Sequence, residues 1–257
     1  MPAWILTTEL PLYLPQFFDR LLAEEGSHVD RISLTWAPPK RIFGQQYRLY
    51  GPVDGARMAG LFARGVVLSA LSAHRQRQLT GSLHSVRAAA VAHDIPIEHV
   101  SDISESGFVD RVAAAEPELL LSVLCGQRLG GDLLSVPKWP INLHPSLLPA
   151  YRGPASIFWA MYHDEAETGW TAHEMTEAFD DGPIVDQWST VIEDDETHHS
   201  LTRRLMSSGV EMATDLLSAL PDASFETRPN PTTEDDYHTA PTVDDRREFK
   251  RRGNQLL

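Results

Sequence analysis

The chain reads as an α/β protein: a mostly parallel sheet flanked by helices, followed by a short C-terminal tail. Three observations predict this. Trp4-Ile5-Leu6-Thr7, a helical stretch from Tyr13 to Glu25, and Arg31 to Trp36 follow one another as strand, helix and strand. Leu119-Leu120-Leu121-Ser122-Val123-Leu124 is the most apolar run of the chain, the pattern of a strand buried on both faces in a parallel sheet. Residues 221–257 are polar and rich in Pro, Thr and Asp, so the expected division is a main domain over 1–220 and a short extension over 221–257.

Taken in order, the first helix carries Leu14, Phe17, Phe18, Leu21 and Leu22 on one face, and Gly26 stops it. Residues 37–54 hold Pro38, Pro39, Gly44, Gly51 and Pro52 and read as a loop or irregular crossing. Helical stretches follow at 55–71 and 85–93, with a short strand at Ile95 to Val100. Ser106 to Ala115 is helical and Pro117 ends it. Pro140 to Leu143 is a strand running into His144-Pro145. A helix at Ala155 to Tyr162 precedes strands at Thr171 to Met175 and Ile184 to Ile192. Asp195 or Thr197 can cap a long helix with Leu201, Leu205, Met212 and Leu216 on one face, ended by Pro221. In the tail, Thr242-x-x-Asp245 forms a capping box for one short helix.

At 257 residues, 42% hydrophobic and 23% charged, the chain can bury a core without staples, which excludes global disorder. Its 36 acidic residues against 22 basic ones give a net charge of −14, with three lysines. That field repels phosphate, so a nucleic-acid surface would need a local basic patch. The acidity serves solubility, or a high-salt cytoplasm; an arginine-rich genome explains the scarce lysines equally well. Cys125 is the single cysteine, so there is no intrachain disulfide. With neither a bilayer-length apolar run nor a signal-peptide pattern, the expected location is cytoplasmic, away from membranes.

The chemically informative stretch is Ile141-Asn142-Leu143-His144-Pro145-Ser146-Leu147-Leu148-Pro149. Side chains two apart on a strand share a face, so Asn142 and His144 project together from a strand end, where open α/β sheets place their sites. An amide that can donate to an oxyanion beside an imidazole that can move a proton suits carbonyl chemistry. Taken as an isolated triplet, the alternative is a turn-capping asparagine and a satisfied buried histidine.

Asn142 to Pro149, followed by Tyr151-Arg152-Gly153, resembles the signature of the formyl-tetrahydrofolate-dependent formyltransferases. That family includes glycinamide ribonucleotide transformylase, methionyl-tRNA formyltransferase and the sugar N-formyltransferases. A second block, Gly169-Trp170-Thr171-Ala172-His173-Glu174-Met175 before Phe179-Asp180-Asp181-Gly182-Pro183, is similar to the family's and contains its Asp-x-Gly as Asp180-Asp181-Gly182. The close match runs from about residue 119 to 205. The resemblance implies a Rossmann-like formyltransferase fold, with the catalytic domain over 1–220. It implies that Asn142 donates to the formyl oxygen, that His144 stabilises charge and moves a proton, and that Asp180 orients His144. It places N10-formyltetrahydrofolate, as co-substrate, against Cys125, Gly126, Gln127, Arg128 and Leu129, mainly through backbone groups. This segment departs from common family forms at Arg128, Gly130 and Gly131. Cys125 reads as a packing residue, His173 as structural, and His198-His199 after Glu193-Asp194-Asp195-Glu196 as a charged turn and helix cap. No metal is expected, since there is no zinc-like cysteine pair and no His-Glu-x-x-His.

The resemblance also ranks acceptors. Thr7-Thr8-Glu9-Leu10-Pro11-Leu12-Tyr13 lacks the glycine-rich phosphate cradle of a glycinamide ribonucleotide enzyme. The short acidic tail does not resemble the tRNA-binding barrel, and there is no room before Trp4 for a hydrolase's regulatory domain. The expectation is therefore formyl transfer to a primary amine of a small molecule, best an amino sugar nucleotide. A methionyl-tRNA formyltransferase-like enzyme, a formyltetrahydrofolate deformylase and a non-catalytic folate-binding module are the alternatives. Arg41, Tyr47, Arg48, Tyr50 and Trp159 are candidates for holding a nucleotide, and the site mouth near Arg128 and Arg152 is expected to be less negative than the rest. Relatives are often dimers, so a homodimer is compatible.

Overall fold

The computed structural model describes residues 3–35, 39–220 and 224–257. Among these, the strands are β1 (Ala3–Thr8), β2 (Val29–Thr35), β3 (Ile97–Val100), β4 (Leu119–Val123), β5 (Trp139–His144), β6 (Glu167–Glu174) and β7 (Ile184–Val191). They form one seven-stranded sheet in the order β3-β2-β1-β4-β5-β6-β7. The first five strands pair in parallel, while β6 is antiparallel to β5 and β7 to β6. The helices are α1 (Leu14–Glu25), α2 (Pro39–Ser69), α3 (Ala73–Thr80), α4 (Val86–Ala92), α5 (Ser106–Ala115), α6 (Gly131–Leu134), α7 (Ser156–Tyr162), α8 (His198–Ser218) and α9 (Val243–Arg251). The mostly parallel α/β sheet expected from the sequence is the fold observed.

Two apolar layers follow from the alternation of β1. Ala3 and Ile5 face the larger layer, with Phe17 and Phe18 of α1 and Leu205 and Leu216 of α8. Trp4 and Leu6 face the smaller one, with Phe108 and Val112 of α5 and Leu133 of α6. The Trp4 ring meets Phe108 edge-on at 6.1 Å, and its indole N–H donates to Ser33 Oγ at 2.8 Å. Each large side chain buried this way contributes about 1.5–3 kcal/mol, before the loss of its rotamer freedom. β4 is buried along its whole length, as a central parallel strand must be.

Residues 39–50 are helical, where a loop was expected. α2 runs from Pro39 to Ser69 and breaks at Gly51, whose φ of 71° and ψ of −169° are not helical. Proline suits these positions because at the start of a helix the missing N–H has no partner to lose. Pro39 opens the first segment and Pro52 the second. Trp36, Ala37 and Pro38 lie outside the described residues. At the break, Arg246 of α9 donates through Nη1 to Tyr47 O and Arg48 O, both at 2.8 Å, closing the first segment's free carbonyls. A Cβ on Gly51 would come 2.8 Å from Arg246 Cζ.

Of the two caps offered for α8 it is Thr197 that forms, and the capping box expected at Thr242 forms as well. Thr197 accepts from Ser200 N at the start of α8, and Thr242 from Asp245 N at the start of α9. α9 then docks through Phe249, fully buried and stacked on Phe158 of α7 at 4.6 Å. Among the described residues, no helix is long and apolar enough to cross a membrane.

Candidate active site

The strand order reverses direction between β1 and β4. The connection after β1 leads to α1 on the larger apolar layer, and the connection after β4 leads to α6 on the smaller one. Chains that leave to opposite faces open a crevice at the strands' carboxyl ends. A cavity of about 710 Å³ lies there, beside the ends of β4 and β5. Its lining includes Asn142, His144 and Asp180, and on another wall Cys125, Gly126, Gln127, Arg128 and Leu129. The three residues expected to be catalytic and the five expected against the folate therefore line one cavity.

Asn142 and His144 project from β5 with the expected spacing. His144 is 6% exposed, and its Nε2–H donates to Tyr151 O at 2.9 Å. Its other nitrogen, Nδ1, faces Asp180 Oδ1 at 3.5 Å. Burial lowers the His144 pKa below its ordinary 6.5; the Asp180 charge and the Tyr151 carbonyl offset part of that shift. Burial alone would raise the Asp180 carboxyl. Attraction to His144 and to His173, whenever either ring is protonated, and the Gly153 N–H, which donates to Oδ2 at 2.8 Å, instead hold it well below the usual carboxylate range. At neutral pH Asp180 is ionised and His144 neutral, with a lone pair on Nδ1.

His173, read from the sequence as a structural residue, lies in the wall of the same cavity. It pairs with Asn142 across β5 and β6, and lies 2% exposed in the cavity wall. Its Nδ1–H donates to Glu174 O at 2.8 Å, which leaves Nε2 to accept from Asn142 Nδ2 at 3.1 Å. Asp180 Oδ1 is 3.5 Å from that Nε2. Asn142 Nδ2 also donates to Asp180 Oδ1 at 3.5 Å, so its two hydrogens point to His173 and Asp180, which fixes the amide's orientation.

In the Cys125–Leu129 wall the polar side chains of Gln127 and Arg128 are tied to neighbouring segments. Leu124, at φ 51°, turns the chain there. Gln127 Oε1 accepts from Ile103 N, and its Nε2 donates to Ser101 O. Arg128 donates to Glu177 O through Nε at 2.8 Å and also through Nη2. The Cys125 thiol lies 3.6 Å from Gln127 O, and burial pushes its pKa up, away from nucleophilic use.

Arg152 donates to Phe179 O at 2.8 and 3.1 Å and pairs with Asp181 at 3.2 Å, so both arginines at the mouth are committed to the 175–181 turn. Tyr50 is buried, with its hydroxyl 3.3 Å from His198 Nδ1, and Trp159 Nε1 donates to Thr239 O. Tyr47 and Arg48 lie on exposed helix surface, and none of these nucleotide candidates lines the cavity; the Arg41 side chain lies outside the described residues. His198, neutral because burial lowers its pKa to about 4, and His199, bonded to Tyr13 at 2.7 Å, open α8.

The tail reaches the site as well. Tyr237 lines the cavity, and His238 stacks between Tyr151 at 5.3 Å and Trp159 at 5.0 Å. No local periodicity pointed to Tyr237. The proximity is tertiary, made by a parallel bridge between Arg152 and Tyr237.

A family profile described as formyl transferase matches residues 63–217. This chain belongs to the formyl transferase family. A methionyl-tRNA formyltransferase of Pelobacter propionicus is 37% identical over 145 residues, 56% of this chain and 46% of that protein. The bifunctional polymyxin resistance protein ArnA of Wigglesworthia glossinidia brevipalpis is 35% identical over 122 residues, 47% of this chain and 19% of that one. The chain thus spans less than half the length of these relatives. The crystal structure of WlaRD, a sugar 3N-formyl transferase solved with dTDP and 5-N-formyl-THF, superimposes with a TM-score of 0.61 at 15% identity, covering 93% of this chain and 69% of that one. At that identity the likeness is one of fold.

Proposed function

We propose that this formyl transferase moves a formyl group from N10-formyltetrahydrofolate to a primary amine of a small molecule, with an amino sugar nucleotide as the preferred acceptor class. One observation carries the reading: the Asn142 amide, the neutral His144 imidazole and the ionised Asp180 carboxylate converge on one cavity wall. The folate would lie along Cys125–Leu129, which lines the same cavity and whose backbone could pair with the edge of a flat heterocycle. When bound, it supplies an activated formyl carbon.

Each residue then has a role. The Asn142 N–H that makes the long 3.5 Å contact to Asp180 would turn to the carbonyl oxygen that gains charge as the amine adds. His144 Nδ1 accepts the proton shed by the amine, and Asp180 stabilises the imidazolium so formed. The new C–N bond forms as the bond from the formyl carbon to N10 breaks, and His144 returns the proton to N10. The division into a catalytic domain over 1–220 and an extension over 221–257 is part of this proposal.

What fills the β1 loop weighs against glycinamide ribonucleotide, whose phosphate would be cradled there. Glu9 accepts from Val86 N at 2.7 Å and Arg87 N at 3.4 Å, so those amides are already satisfied by an internal carboxylate and not left for a phosphate. The test is a screen of amines, dTDP-amino sugars among them, with N10-formyltetrahydrofolate and the whole chain. Expected are tetrahydrofolate release and a formylated product. An Asn142→Ala variant should lose about 10²–10³-fold in kcat. Folate binding with no amine turned over sinks the proposal, and release without any amine indicates the deformylase.

A further inference from the structure

Asp180 stands on a turn that the sheet does not hold. β6 ends at Glu174 and β7 begins at Ile184, and the intervening residues lie outside both strands. Asp180 itself adopts φ 51°, a left-handed conformation disfavoured for a residue with a Cβ. Something other than strand pairing must keep its carboxylate on the Gly153 N–H and beside His144.

That support comes from the C-terminal segment. Asn230 Nδ2 donates to Asp180 O at 3.2 Å and to Gly182 O at 3.1 Å. Arg228 and Ile184 exchange both backbone hydrogen bonds, which anchors the segment beside the start of β7. Arg152 joins the layers by donating to both Phe179 O and Thr233 O. The amide's own oxygen, Asn230 Oδ1, is buried with no partner. An unpaired buried acceptor opposes folding, and an apolar side chain of the same size would avoid it. What the amide supplies is a pair of N–H donors on the carbonyls flanking the candidate catalytic turn.

We propose that Asn230 is a positioning residue for Asp180, clamping the Asp180 and Gly182 carbonyls so that the carboxylate is held against His144 and the Gly153 amide. The role rests on the formyl-transfer reading, and its test separates the two. Asn230→Ala removes both donors; Asn230→Leu removes them while keeping the bulk and dispensing with the orphaned oxygen. In both, the Gly153 amide should exchange with deuterium about ten-fold faster or more, because its acceptor has moved. This readout needs no acceptor substrate. Formyl transfer should fall about 10–100-fold in kcat with KM for the folate unchanged, since Cys125–Leu129 is untouched. In an Asp180→Asn background, Asn230→Ala should lower kcat by less than about two-fold more, because the two residues act as one unit.

Unchanged Gly153 exchange in both variants overturns the positioning role. So does wild-type kcat in Asn230→Ala, or a loss that stays fully additive with Asp180→Asn. A wild-type chain that binds folate but formylates no amine overturns the formyl-transfer reading and this one with it. Wild-type turnover with Asn230→Ala unimpaired overturns this one alone.

Discussion

His144 is held between two oxygens of different kinds. Tyr151 O takes its Nε2–H, and Asp180 Oδ1 faces the bare Nδ1. Because burial outweighs the Asp180 charge, the imidazole stays neutral down to a pH below its ordinary pKa of 6.5. A base must be unprotonated to act, so kcat/KM should fall as pH drops through a value below 6.5 and stay flat across neutral pH. Asp180→Asn removes the charge that raises the His144 pKa. Its acid limb should move further down while kcat falls about 10²–10⁴-fold. A pH–rate profile checks both, and a limb above 6.5, or one that moves up in the variant, contradicts the assignment. At this scale the sequence was legible where spacing is local: Asn142 and His144 share a face because they are two apart on a strand. His173 and Gly153 were not legible. The first arrives through β5–β6 register and the second through the loop after β5, and neither contact leaves a trace in its neighbours.

Among the elements, α8 shows how a small residue sets a packing distance. Gly209 faces Trp170, whose indole Nε1 donates to Leu205 O at 2.8 Å, and a Cβ on Gly209 would come 2.5 Å from the ring. Gly209→Ala gains about 1 kcal/mol of helix propensity. It loses about 1–3 kcal/mol to overpacking, toward the upper end because Trp170 is fully buried and cannot swing away. The variant should therefore unfold at lower denaturant with an unchanged m-value; a midpoint at or above wild type would mean that α8 can shift to make room. Elements with one strong local signal were readable: Ser106–Ala115 was expected and observed with the same bounds, and Thr197 and Thr242 cap as their spacing implies. The first half of α2 was not, because it depends on Arg246, nearly two hundred positions later, to close its carbonyls, whereas the second half was expected as a helix over 55–71. α3 was missed for a related reason. Of its residues only Gln76 is buried, and it carries no apolar stripe to read.

Over the whole molecule, the acidic surface and the apolar interior make separable demands. Ion pairs such as Arg20–Glu24 and Arg247–Asp244 lie between exposed side chains, where each is worth about 0–1 kcal/mol. The two apolar layers, the larger of them joined by Phe249 from the tail, carry the fold. A net charge of −14 works against them by self-repulsion, and added salt screens that repulsion without touching the core. Cooperative thermal unfolding is therefore expected already at low salt. The midpoint should rise by a few degrees between about 50 and 500 mM NaCl and then level off, because the screening length has shrunk to a few ångströms. An uncharged co-solute such as sucrose acts by exclusion and should raise the midpoint without levelling off. A chain that stays unfolded until molar salt is present would show that the apolar layers do not suffice, and would favour adaptation to a high-salt cytoplasm over an arginine-rich genome as the reason for three lysines.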